Sequence, residues 1–165
     1  MPEVRKKVIL VDDDPINLKL ARNSLIGKYD VFTVPSAEKL FELLEKTLAD
    51  IILMDVIMPE MSGYDAIKVL KSNPRTANIP VIFLTSKADN NSEFEGFIHG
   101  AADYISKPFS PQLLLKRVDL HILLESQKKE LEYINQNLQQ LIDEKTEEIQ
   151  ELQNVILKTI NSLVE

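Results

Sequence analysis

No cysteine occurs in this sequence, so neither a disulfide framework nor a thiolate metal site is open to it. Glycine is scarce. Gly27, Gly63, Gly96 and Gly100 are the whole complement, and no glycine-rich phosphate loop can be assembled from them. His99 and His121 are the two histidines; isolated in the sequence, they read as ordinary core or surface residues and not as ligands. Long apolar runs are also missing. Met1-Pro-Glu-Val-Arg-Lys-Lys7 leads into an apolar stretch too short for a signal-peptide core or a membrane span, which points to a cytoplasmic protein with no membrane partner. Basic residues are in deficit, 19 Lys and Arg against 26 Asp and Glu. The net charge of −7 argues against a general nucleic-acid or anionic-membrane binder.

What is present suits one ordinary domain with some extra chain: 165 residues, 44% of them hydrophobic, a globular composition. Lys7-Val-Ile-Leu-Val11 reads as a buried strand that runs straight into Asp12-Asp13-Asp14-Pro15. Asp14 is a good N-cap and Pro15 a favoured first helical residue. A helix from Pro15 to about Ile26 carries Ile16, Leu18, Leu20, Ala21 and Leu25, and Gly27 is placed to close it. Tyr29 to Val34 is a second strand. Ser36 caps a second helix with Leu40, Phe41, Leu43, Leu44 and Leu48 on its buried side.

The third strand, Ile51-Ile-Leu-Met-Asp55, is apolar throughout until it ends in one aspartate, before the loop through Pro59 to Gly63. A helix from Gly63 to Leu70 and a loop over 72–80 follow. Val81 to Leu84 is a fourth strand ending in Thr85-Ser86, Asn90 to His99 a short helix, and Asp103 to Ser106 a fifth strand ending in Lys107-Pro108-Phe109. This alternation predicts an α/β fold, a five-stranded parallel sheet, doubly wound. Right-handed crossovers gather the strand ends along one edge, where ligands bind in open α/β sheets.

Asp12, Asp13, Asp55, Thr85 and Lys107 meet on that edge. Singly, each has a plain structural reading. Asp55 can open a turn before Pro59, Asp12 and Asp13 can form a solvated acidic turn, Thr85 can bond its own backbone, and Lys107 can be a solvated turn residue. Together they supply more. Adjacent carboxylates repel in a way that a divalent cation relieves, and hard oxygen ligands suit Mg²⁺. Asp55 is then a nucleophile, Thr85 a hydrogen-bond donor and Lys107 a fixed positive charge. The set suits phosphoryl transfer to a carboxylate, which makes Asp55 an acyl phosphate. An enzyme of the aspartate-phosphatase type requires a second carboxylate two positions after the nucleophile, where this chain has Ile57.

Asp12-Asp13, Met54-Asp55 with Met58-Pro59 and Gly63, Thr85-Ser86, and Tyr104 through Lys107-Pro108-Phe109 resemble the response-regulator receiver family over roughly residues 5–125. The resemblance implies the flavodoxin-like receiver fold, with Asp55 as phosphoacceptor for a sensor histidine kinase. It implies Mg²⁺ on Asp13, Asp55 and the Ile57 backbone carbonyl, with Asp12 acting through water. Thr85 and Lys107 would contact phosphoryl oxygens, Thr85 and Tyr104 would act as the switch pair, and the Lys107-Pro108 bond would be cis. Ser86 replaces the family's usual Ala or Gly. Ile57 and Lys87 occupy variable positions that influence the lifetime of the phosphoryl group.

From Gln112 to Glu165 there is neither Gly nor Pro, and one helix of about 80 Å can run through the segment. Leu124, Leu131 and Leu138 recur every seven residues, and Leu152 continues the series after Lys145; Ile142, Ile149, Ile156 and Leu163 form the adjoining series. Ile at a with Leu at d favours a parallel two-stranded coiled coil, in which Asn135 falls at a buried a position that fixes register. Ile134, Leu141 and Val155 widen the stripe. The division expected is a receiver domain over 1–123 and a homodimeric signalling helix over 124–165; a single amphipathic helix against another domain is the other reading. Residues 144–153 are similar to the signalling helix of multidomain regulators. The last residues end without a helix stop signal and resemble the opening helix of the HD-GYP cyclic-di-GMP phosphodiesterase domain. The resemblance implies an output domain in cis, absent here, with no phosphodiesterase activity in this chain. A diguanylate cyclase or histidine kinase output, and a non-phosphorylated pseudo-receiver serving as a dimerisation module, are the alternatives.

Overall fold

The computed structural model describes residues 4–86 and 99–164. The helix expected from Asn90 and the residue Lys87 lie outside these, while His99 stands in a turn. The chain divides into two compact units, Met1–Leu123 and Leu124–Glu165.

In the first unit the elements alternate: β1 (Lys7–Val11), α1 (Pro15–Leu25), β2 (Asp30–Val34), α2 (Ala37–Lys46), β3 (Ile51–Asp55), α3 (Gly63–Ser72), β4 (Val81–Ser86), β5 (Asp103–Lys107), and then α4, which starts at Pro111 and continues to Val164. The strands pair in the order β2-β1-β3-β4-β5, all parallel. This is the doubly wound, flavodoxin-like order. β1, β3 and β4 are buried on both faces, which is why they are near-continuous runs of Val, Ile, Leu, Met and Phe. β2, at the sheet edge, alternates more polar residues and is mostly exposed.

Capping chemistry starts the helices. Asp14, Ser36 and Ser62 each accept a backbone N–H of the first turn. Ser110 does the same for α4 through Leu113 N at 3.1 Å, with Pro111 in the first helical position. Two apolar layers result. Leu40 and Leu44 of α2 with Ala66, Ile67 and Leu70 of α3 cover one sheet face against Ile9, Ile52, Met54 and Phe83. Ala21 and Leu25 of α1 with Leu114 and Val118 of α4 cover the other against Val8, Leu10, Leu53 and Ile82. Each of the larger side chains among these, Val, Leu, Ile, Met or Phe, contributes about 1.5–3 kcal/mol on burial.

Three expectations are corrected. Gly27 does not close α1 with a left-handed residue, since its φ is not positive; Ile26 is the cap, and Lys28 N and Tyr29 N both donate to Leu25 O. Leu48 lies past the end of α2 and is exposed, so that helix stops at Lys46, short of its apolar pattern. Tyr29 is buried in the core but precedes β2.

In the second unit α4 is an unbroken helix. Leu124, Leu131, Leu138, Ile142, Ile149, Leu152, Ile156 and Leu163 are all exposed along it.

Candidate phosphoacceptor site

The parallel register lines up the carboxyl ends of four strands. Val11 pairs with Met54, Asp55 with Leu84, and Thr85 with Ser106. Asp12 therefore follows β1, Asp55 ends β3, Thr85 stands near the end of β4, and Lys107 ends β5. One carboxylate oxygen from each of Asp12, Asp13 and Asp55 lies within 4.8 Å of the others. Asp12 is only 2% exposed and Thr85 3%, while Asp13 is open to solvent.

Lys107 is the centre of charge. Its Nζ donates to Asp12 Oδ2 at 2.6 Å and lies 3.1 Å from Asp55 Oδ2. Asp12 Oδ1 accepts from Asp14 N at 2.9 Å and from Asn17 Nδ2 at 3.4 Å. Asp55 Oδ1 accepts from Ile57 N at 3.4 Å. Burial pushes the Asp55 carboxyl above the usual range, helped by the Asp12 charge, and Lys107 offsets this only in part. Burial works against the Lys107 ammonium, but Asp12 and then Asp55 outweigh it and hold its pKa above the ordinary lysine value.

Three carboxylates against one ammonium leave two negative charges, which one divalent cation balances. The donors are hard oxygens on an open edge, which fits a small divalent ion such as Mg²⁺. Ile57 is well exposed beside this cluster.

Gly63 sets the loop geometry. It opens α3 against the end of β3, where Gly63 N donates to Val56 O at 2.8 Å. A Cβ there would stand 2.4 Å from the Asp55 carbonyl oxygen, so no other residue permits this approach. Glu60, in the same loop, holds a left-handed backbone with φ of 67°. The Lys107-Pro108 peptide is cis, as the resemblance implies. Tyr104 is buried and packs on Phe83 with ring centroids 5.5 Å apart; Phe83 meets Tyr64 edge-on at 5.3 Å.

The structure thus brings Asp12, Asp13, Asp55 and Lys107 into one cluster, with Thr85 on the next strand. Tyr104 stands on the strand that carries Lys107, one layer inward against Phe83. The seam residues from Leu124 on belong to the other unit. Sequence reasoning missed Asn17, whose only signal is its place in the first turn of α1. His121, read from the sequence as an ordinary core or surface residue, has its Nε2 3.0 Å from Asp103 Oδ2.

Residues 8–119 match the family model described as the response regulator receiver domain. A "probable cyclic di-GMP phosphodiesterase" of Vibrio cholerae is 36% identical over 158 residues, 96% of this chain and 36% of that protein. The response regulator PleD of Caulobacter vibrioides is 33% identical over 113 residues, 68% of this chain and 25% of its own length. The chain therefore spans only about a third or less of these relatives. Among solved structures, the chemotaxis response regulator CheY4 of Vibrio cholerae superposes with a TM-score of 0.67 at 28% identity, covering 72% of this chain and 99% of that one. Sheet order, the acidic edge and the family match agree, and the chain belongs to the response regulator receiver domain family.

Proposed function

We propose that this chain accepts a phosphoryl group on Asp55 from a sensor histidine kinase in the cytoplasm and passes the change to an output domain through a dimeric C-terminal helix. The observation that carries the reading is the cluster of Asp12, Asp13 and Asp55 around the Lys107 ammonium. Asp55 Oδ attacks phosphorus, the bond from phosphorus to the donor nitrogen or oxygen breaks, and the leaving group departs with its electron pair. Asp13, Asp55 and the Ile57 carbonyl would hold Mg²⁺ directly and Asp12 through water; the ion, when bound, neutralises the phosphoryl oxygens. Thr85 donates to one phosphoryl oxygen. Lys107 exchanges one of its carboxylate partners for another oxygen. Tyr104, beside Thr85's strand, follows the Thr85 movement.

The test is direct. With Mg²⁺ and acetyl phosphate the chain should gain about 80 Da by intact mass, and Asp55→Asn should not. The same adduct on the Asp55→Asn protein would sink the assignment.

For the output, the match to the Vibrio cholerae protein extends through 96% of the chain, past the receiver into the helix, and supports a cyclic-di-GMP phosphodiesterase in cis, which the resemblance of the last residues assigns to the HD-GYP class. A histidine kinase output is the second reading, because the hybrid signal transduction histidine kinase D of Dictyostelium discoideum also matches over 86% of the chain. The gene sequence past Glu165 decides between them: an HD motif followed by Gly-Tyr-Pro supports the first, and a stop codon there defeats both.

A further inference from the structure

Asp103 is the first residue of β5 and Lys107 the last. The Asp103 side chain is 14% exposed, and both of its oxygens are engaged. Oδ1 accepts from Tyr104 N at 2.8 Å. Oδ2 accepts from Arg117 Nη1 at 2.8 Å and lies 3.0 Å from His121 Nε2. Arg117 and His121 are one turn apart on α4, on the same helix face. Burial opposes the Asp103 charge, but the His121, Tyr104 and Arg117 hydrogen bonds outweigh it and hold its carboxyl below the usual range. A second tie stands beside the first: the Tyr29 hydroxyl donates to Asp119, which also pairs with Lys28 at 3.0 Å. The phosphoacceptor cluster uses none of these groups.

The apolar contacts of Leu114 and Val118 hold α4 on the sheet, but apolar contact is non-directional and tolerates small shifts. Charge-assisted hydrogen bonds onto one carboxylate oxygen do not. We propose that Asp103 is a latch that fixes the register of α4 on β5, so that the strand bearing Tyr104 and Lys107 and the first turns of α4, residues 111–123, shift as one body. The mechanical half stands alone; the signalling half rests on the phosphoacceptor reading.

Backbone hydrogen exchange on the full chain tests both halves. Without metal or phosphodonor, Asp103→Asn should speed exchange over 111–123 by about tenfold, as expected for a lost charge-assisted bond opening locally, and leave β1 and β3 unchanged. His121→Gln, which keeps a donor, should do less than His121→Leu. Unchanged exchange over 111–123, or equal acceleration in β1 and β3, overturns the latch. With Mg²⁺ and acetyl phosphate, the adduct on the native chain should alter 103–107 and 111–123 together, and on Asp103→Asn it should form equally but alter 103–107 alone. An adduct that alters 103–107 but leaves 111–123 unmoved in the native chain also overturns it. Absence of any adduct counts against the phosphoacceptor reading, while the metal-free comparison still decides the latch.

Discussion

Lys107 holds two carboxylates with one ammonium, and removing it exposes what each costs. Asp12 is buried, so Lys107→Met leaves a charge with hydrogen bonds but no counter-ion; the expected loss is about 2–3 kcal/mol in urea unfolding. Asp55 behaves in the opposite sense. Its folded pKa is raised, so ionising it disfavours the folded chain, a penalty present above that pKa and relieved as pH falls through it. Asp55→Asn should therefore raise the melting temperature of the metal-free chain at neutral pH, and an unchanged or lower one would contradict the assigned electrostatics. Asp103 carries a lowered pKa. Its stabilisation is complete above the unfolded carboxyl pKa and is lost as pH falls through the folded value, so Asp103→Asn should flatten the acid limb of the stability profile.

Among the elements, the join of β3 and α3 leaves the least freedom. The 2.4 Å approach that a Cβ on Gly63 would make to the Asp55 carbonyl forces either the strand end or the helix to move. Gly63→Ala should cost about 2 kcal/mol or more, and it should slow phosphorylation of Asp55 at saturating Mg²⁺ because the nucleophile's own peptide is displaced. A variant with native stability and a native rate would show that the loop relaxes without disturbing the site. α4 differs in kind. Its first turns are fixed by Leu114 and Val118, and beyond Leu123 its apolar stripe finds no partner among the described residues of its own chain.

For the whole molecule, that stripe predicts assembly. Ile and Leu at seven-residue spacing, each about half or more exposed, are what a two-stranded seam buries. Light scattering should report a dimer for the full chain and a monomer for a chain ending at Leu123; a monomeric full chain would remove the proposed route through the helix. Among the described residues, no helix is long and apolar enough to cross a membrane.

The strand–helix alternation and the acidic edge were legible in the residues because they follow from local rules. Apolar blocks buried on both faces must be parallel strands, caps at Asp14, Ser36 and Ser62 start helices wherever they stand, and right-handed crossovers bring strand ends together. Helix ends were less legible: the pattern extended α2 to Leu48 and gave Gly27 a capping role, where packing and the Leu25 carbonyl decided otherwise. The tertiary structure alone decided which cation meets which anion. The order of residues brings Lys107 and Asp12, 95 positions apart, to one edge without saying that they pair, and nothing in it places His121 and Arg117 on Asp103. Such pairings depend on distances between elements, which the sheet register and the packing of α4 set, and a buried carboxylate takes whichever donors that packing brings within 3 Å.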